Sequence, residues 1–137
     1  MEIEKNKEIV RQLFARFTLT EIDQAMDLLA DDAIWTVMGE PRRFAYAGPK
    51  TKAIFTGLIK GFLRSMVKFN FVPNAMTAEQ DRVSVEAESF GESADGNKYH
   101  NFYHLLFVVS DGKIQAVREY LDPLEVWEFT GEMKFPT

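Results

Sequence analysis

Apolar residues recur at helical spacing through the first half of the chain and alternate through the second. Residues 4–17 carry Ile9, Val10, Leu13, Phe14 and Phe17 at i, i+1, i+4, i+5 and i+8, one apolar stripe, with Glu4, Lys5, Lys7, Glu8 and Arg11 on the opposite side. This spacing predicts a first helix. A second is expected from Thr20, read as its N-cap, with Glu21 and Asp23 in the first turn. Ile22, Ala25, Met26 and Leu29 form its inward face, and Asp31-Asp32 ends it. Residues 33–38, which include Trp35, read as a short strand, and residues 39–49 hold two prolines and two glycines and read as a loop or irregular hairpin. Thr51 is expected to cap a third helix over about residues 52–68, where Ile54, Phe55, Leu58, Ile59, Phe62, Leu63 and Met66 repeat. Gly57 and Gly61 within it read as places where the helix closely approaches a sheet.

After Phe69 the period becomes two. Residues 69–72 begin an extended segment that Pro73 interrupts, which predicts an edge strand or a bulge. Residues 82–90 alternate, with Val83, Val85 and Ala87 to one side and Ser84, Glu86, Glu88 and Phe90 to the other. Residues 91–97 form a polar turn. Two long β-prone runs then flank Ser110-Asp111-Gly112, a hairpin signal spanning residues 98–122. Residues 123–129 read as a short terminal helix, with Pro123 at its first position, or as a tail over the sheet. Helices first and antiparallel strands after is the α+β pattern. The expected architecture is one cone-shaped domain in which a strongly curved, mixed or antiparallel sheet wraps three helices from the N-terminal half. Such a cone leaves a cavity, and cavities of this kind bind ligands.

Composition narrows what that cavity serves. The 137 residues include twelve Phe, four Tyr and two Trp, enough rings to fill a core and line a hollow. A net charge of −5 argues against nucleic acid and anionic membrane as partners, which need a dense basic patch. With no cysteine, thiolate chemistry and disulfides are excluded. No apolar run approaches the ~20 residues of a membrane span, and no secretory leader is recognisable, so a cytoplasmic location is expected.

The helices, the strand bearing Trp35, Tyr46-Ala47-Gly48 ahead of the third helix, and the stretch from Phe107 that closes on Arg118-Glu119-Tyr120-Leu121-Asp122 resemble the nuclear transport factor 2-like superfamily. Within it the SnoaL-like polyketide cyclase and ketosteroid isomerase-like branch is the most similar. The scaffold hosts many activities, so the resemblance speaks more to fold than to reaction. Limonene epoxide hydrolases share the Arg-acidic-Tyr-apolar-Asp ending. That likeness implies Asp122 as a base and sets Glu88 at the place of their second Asp. Glu86 stands where their bridging Arg would be, and Trp35 and Val37 fall near their water-holding Tyr and Asn. SnoaL-like cyclases pair an Asp on the last strand with a His on the preceding one, a pairing that Asp122 with His104 or His100 resembles. The first-strand base of steroid isomerases has no counterpart in Ile34-Trp35-Thr36-Val37.

Alternation places His100, Phe102, His104 and Leu106 on one face of their strand, and Ala116, Arg118, Tyr120 and Asp122 on one face of the next. If these faces coincide with that of Glu86 and Glu88, one site gathers His, Asp, Arg, Tyr and two Glu. The expected catalytic set is Asp122, His104, Glu88 and Tyr120, with Tyr103 as another oxyanion donor. Trp35, Phe55, Leu58, Phe62, Glu86, His100, Phe102, Leu106 and Arg118 are the expected substrate contacts. Structural roles compete for the same residues. Asp122 can pair with Arg118 or cap the terminal segment, His104 can be a satisfied interior histidine, and Glu86 and Glu88 can face water or a second copy. His100 and His104 stand about 13 Å apart along a strand, which argues against a shared metal, and no cofactor is expected. The leading function is binding of a small apolar or aromatic molecule, with cofactor-free isomerase, cyclase or lyase (dehydratase) chemistry on a carbonyl compound. The alternatives are a noncatalytic ligand-binding or dimerisation domain and an epoxide hydrolase-like enzyme. A homodimer is expected, with Val83 and Val85 among the residues its outer face buries.

Overall fold

The computed structural model describes residues 2–131. Its ten elements are α1 (Glu2–Arg16), α2 (Ile22–Met26), β1 (Leu29–Val37), β2 (Gly48–Thr51), α3 (Lys52–Arg64), β3 (Met66–Glu79), β4 (Arg82–Ser93), β5 (Lys98–Ser110), β6 (Lys113–Leu121) and α4 (Pro123–Thr130). The strands form one mixed sheet in the order β2-β1-β6-β5-β4-β3. Every neighbouring pair is antiparallel except β1 and β6, which run parallel. The α+β cone expected from the pattern is the observed architecture.

The apolar stripe of α1 seats that helix on the concave face. Val10 and Leu13 are fully buried, and Phe14 meets Phe71 and Phe107 edge-on at 4.6 and 5.9 Å between centroids. Below it lie the inward residues of the meander, Val83, Val85, Leu105, Phe107, Val109 and Val117, all without solvent exposure. Val83 and Val85 therefore belong to the core beneath the helix and not to an outer interface. The side of β4 that carries Val83, Val85 and Ala87 is the side that packing claims, and Ser89 is buried on it as well.

Several boundaries moved for identifiable reasons. The second helix is a single short turn whose N-cap is Glu21, without a side-chain cap, in place of the expected Thr20, and Thr18 Oγ1 accepts from the Glu21 N–H at 3.1 Å. Leu29, read as helical, opens β1 instead, because it pairs with Ile114 across the sheet. Thr51 caps α3 as expected, accepting from Ile54 N–H at 3.3 Å. That helix stops at Arg64 because the residues from Met66 onward are taken by the fourteen-residue β3. Pro73 lies on this edge strand at a break in register between Pro73 and Ala75, so both the edge and the bulge expected of it are present. Gly57 and Gly61 make no close approach. A Cβ on either would meet nothing within 4 Å.

The candidate active site

The end of the cone not filled by α1 is hollow. A cavity of about 570 Å³ lies between α3, α4 and the concave face of the sheet. Its walls are aromatic: Phe17, Trp35, Phe44, Phe55, Phe62, Phe69, Phe71, Tyr99, Tyr103 and Phe129 all border it. Trp35 stacks on Phe55 with centroids 3.9 Å apart and planes 9° from parallel, and Phe62 meets Tyr99 edge-on at 5.2 Å.

Among the described residues that border the cavity, Glu119 carries the buried carboxylate, while Asp95 is exposed. On β6 the register slips between Val108 and Val109 of its partner, and from there Val117, Glu119 and Leu121 turn inward. The Trp35 Nε1–H donates to Glu119 Oε1 at 2.7 Å. Burial pushes the Glu119 carboxyl up to about 7, against the opposing pull of the Trp35 hydrogen bond and of Lys50. Lys50, on β2, also borders the cavity, and its Nζ donates to the Ala47 and Gly48 carbonyls at 3.3 and 3.2 Å.

A hydroxyl network occupies another part of the wall. Tyr103 Oη lies 2.8 Å from Ser89 Oγ and 3.2 Å from Tyr99 Oη. The buried Asn101 donates from Nδ2 to Tyr99 Oη at 2.7 Å. Burial raises both tyrosines well above the usual phenol range, so both keep their protons at neutral pH and serve as donors. A proton carrier poised near neutrality, beside neutral donors and within apolar walls, suits proton transfer next to a carbonyl and stabilisation of the resulting oxyanion. Among the described residues no group of three or more His, Asp or Glu converges as a metal site.

Trp35, Phe55, Leu58 and Phe62 border this cavity. The other residues singled out in the sequence do converge, but on the convex side. Glu86 stands opposite His104, which stands opposite Tyr120. Glu88 stands opposite Phe102, and Leu106 stands opposite Arg118. His100 Nε2 meets Glu88 Oε2 at 2.7 Å, and its ring stacks on Phe90 with centroids 4.6 Å apart. His104 Nε2 lies 2.5 Å from Ser84 Oγ. His104, Glu88, Tyr120, Glu86, His100, Phe102, Leu106 and Arg118 thus face away from the cavity. The reason is that the odd-numbered residues of β5, Tyr99 to Val109, and Val117 and Leu121 of β6 are the more apolar set and take the interior. Asp122 is exposed, and its Oδ1 accepts from the Leu124 N–H at 3.0 Å as the N-cap of α4. Sequence reasoning passed over Glu119, Lys50, Tyr99 and Asn101. The signal for Glu119 was its place between Val117 and Leu121 in an apolar alternation.

This cone, with its concave sheet, helical plug and aromatic hollow, defines the nuclear transport factor 2-like class of fold. The chain belongs to the SnoaL-like domain family, whose model matches residues 10–117. None of the curated proteins matches it. Among solved structures it is similar to PrhC from Penicillium brasilianum NBRC 6234, at 10% identity and a TM-score of 0.83 over 96% of this chain and 89% of that one. It is also similar to the BvnE pinacolase from Penicillium brevicompactum, at 15% identity and 0.78 over 93% and 90%. An M. tuberculosis LEH-like epoxide hydrolase matches at 16% identity and 0.74 over 96% and 93%. At these identities the likeness is one of fold.

Proposed function

We propose that this protein is a cofactor-independent enzyme of the isomerase, cyclase or lyase type. It binds a small, largely apolar carbonyl compound in the cone and moves a proton through Glu119. The observation that carries this reading is the Glu119 carboxyl, buried, held by the Trp35 indole and raised to about 7. At that value it accepts a proton from carbon next to a carbonyl and returns it elsewhere, while the Tyr99 and Tyr103 hydroxyls hydrogen-bond the enolate oxygen. Fold neighbours that include a pinacolase and an epoxide hydrolase are compatible with acid–base work in such a cone without selecting among reactions.

The test needs no knowledge of the product. A panel of cyclic and aromatic ketones is incubated with the protein in D2O, and deuterium entry next to the carbonyl is followed by NMR. Wild-type protein accelerates exchange for some member, and Glu119→Gln slows it by about 100-fold or more. Equal acceleration by the two proteins removes Glu119 from the chemistry, and wild type that adds nothing to the protein-free rate for any member leaves a noncatalytic ligand-binding domain.

The convex face supports a second element of the reading, a homodimer. Val72, Phe90, Phe102 and Tyr120 are exposed there beside the acidic Glu86 and Glu88 and the basic Arg118 and His100. A face that carries apolar rings and both signs of charge complements a second copy of itself.

A further inference from the structure

Among the described residues Lys50 is the one cation in the cavity wall, and the acid–base reading does not need it. Its position follows from the ladder. Lys50 lies directly opposite Trp35 in the antiparallel β1–β2 pair, so both side chains leave the same face of the sheet, toward the hollow. Two of its three N–H donors go to the Ala47 and Gly48 carbonyls, which fix the head of the side chain. Among the described residues Lys7, Lys52, Lys60 and Lys98 have carboxylates within ion-pair distance, and Lys50 does not. The interior carboxyl that faces it belongs to Glu119. Asp95, at the rim, is engaged by Ser93 Oγ. Lys50 is half-buried at an aromatic cavity, has no carboxylate in ion-pair contact, and faces a Glu119 that burial keeps largely protonated below about 7, so its positive charge is one that a bound anion complements.

We propose that Lys50 selects the ligand: the cavity takes an apolar, ring-bearing molecule with one anionic oxygen group, a carboxylate or phenolate, which the remaining N–H of the ammonium holds. This deepens the reading of the cavity as a substrate site and rests on it. The rings bury the hydrophobic body, and Lys50 fixes which end enters beside Trp35 and Glu119. Burial lowers the proton affinity of Lys50 and Glu119 opposes this, while the two carbonyl acceptors favour the ammonium form.

A matched pair of probes tests it. 2-Naphthoate and 2-naphthamide share one ring system and nearly one shape but differ in charge. Their dissociation constants are measured by calorimetry at pH 6 on wild type, Lys50→Met and Lys50→Gln, with circular dichroism as the check of folding. Wild type is expected to prefer the carboxylate about tenfold or more, and both variants to lose that preference while still binding the amide. Should a variant fail to fold, Lys50→Arg, which keeps the charge, is expected to keep the preference. Equal affinities in wild type, or a preference that survives in Lys50→Met, overturn the inference and leave the cavity reading intact. If neither probe binds, the inference about Lys50 falls, and the cavity reading stands or falls on the deuterium-exchange result. The deuterium-exchange experiment on Glu119→Gln reads proton transfer and not charge selection, so the two failures are separable.

Discussion

Glu119 costs the fold something at neutral and alkaline pH. In the unfolded chain its carboxyl titrates near the ordinary 4.5, and in the folded chain near 7. Between these values the folded protein holds a proton that the unfolded chain has released, so stability falls as pH rises through this window and levels off above it. The difference amounts to on the order of 3 kcal/mol. Glu119→Gln keeps an acceptor for the Trp35 N–H and carries no charge to bury. It is therefore expected to be more stable than wild type at pH 8 and similar at pH 4.5, with a flatter profile between, measured by urea unfolding across pH. A wild-type curve that rises from pH 5 to 8 would contradict the burial argument. Trp35, Phe55, Leu58 and Phe62, expected as substrate contacts, do border the cavity; the α3 residues were legible from helical spacing, and Trp35 from its bulk on a predicted strand and from the family resemblance. The carboxylate was not, because the residues richest in chemistry gather on the face of a sheet that water can solvate, and Glu119 is on the other.

At the level of elements the hairpin was the clearest sequence signal, and its turn shows why. Asp111 and Gly112 both have positive φ, 54° and 74°, the pairing a two-residue turn demands and that Asp-Gly supplies. Strand parity was equally legible: Ala116, Arg118 and Tyr120 do share a face, as do His100, Phe102, His104 and Leu106. Which of two alternating faces points inward is settled by the sum of apolar area on each, and that sum had to be compared across β4, β5 and β6 together. Helix ends were less legible because strand pairing, which is nonlocal, claimed Leu29 and Met66. In α3, Gly57 and Gly61 border the cavity with open space around them. Each change to Ala is expected to raise stability by about 0.5–1 kcal/mol, as in any helix interior. A loss of more than that in urea unfolding would restore the close-packing role that their spacing suggested.

At the scale of the whole molecule the sheet divides two tasks between its sides. The concave side holds core and cavity, and the convex side displays the His-, Glu- and aromatic-rich surface. Phe102 is 59% exposed, a large ring standing in water on the convex side of the sheet. Light scattering on wild-type protein at micromolar concentration is expected to give about twice 15.8 kDa, and Phe102→Glu to give the monomer mass with unchanged affinity for cavity ligands. A wild-type monomer would withdraw the self-association and leave the cavity reading untouched.

The parallel pairing of β1 with β6 has a consequence for assembly. Strands β3 to β6 are neighbours in sequence, each pairing with the next through a short turn. Trp35 and Glu119 are 84 positions apart and meet only when β1 docks against β6. Closing so long a loop is the entropically demanding step of this topology. A partly assembled chain that has built its meander but not received β1 leaves the Glu119 side chain in water as an ordinary acid, so chemical competence and completion of the native topology arrive together.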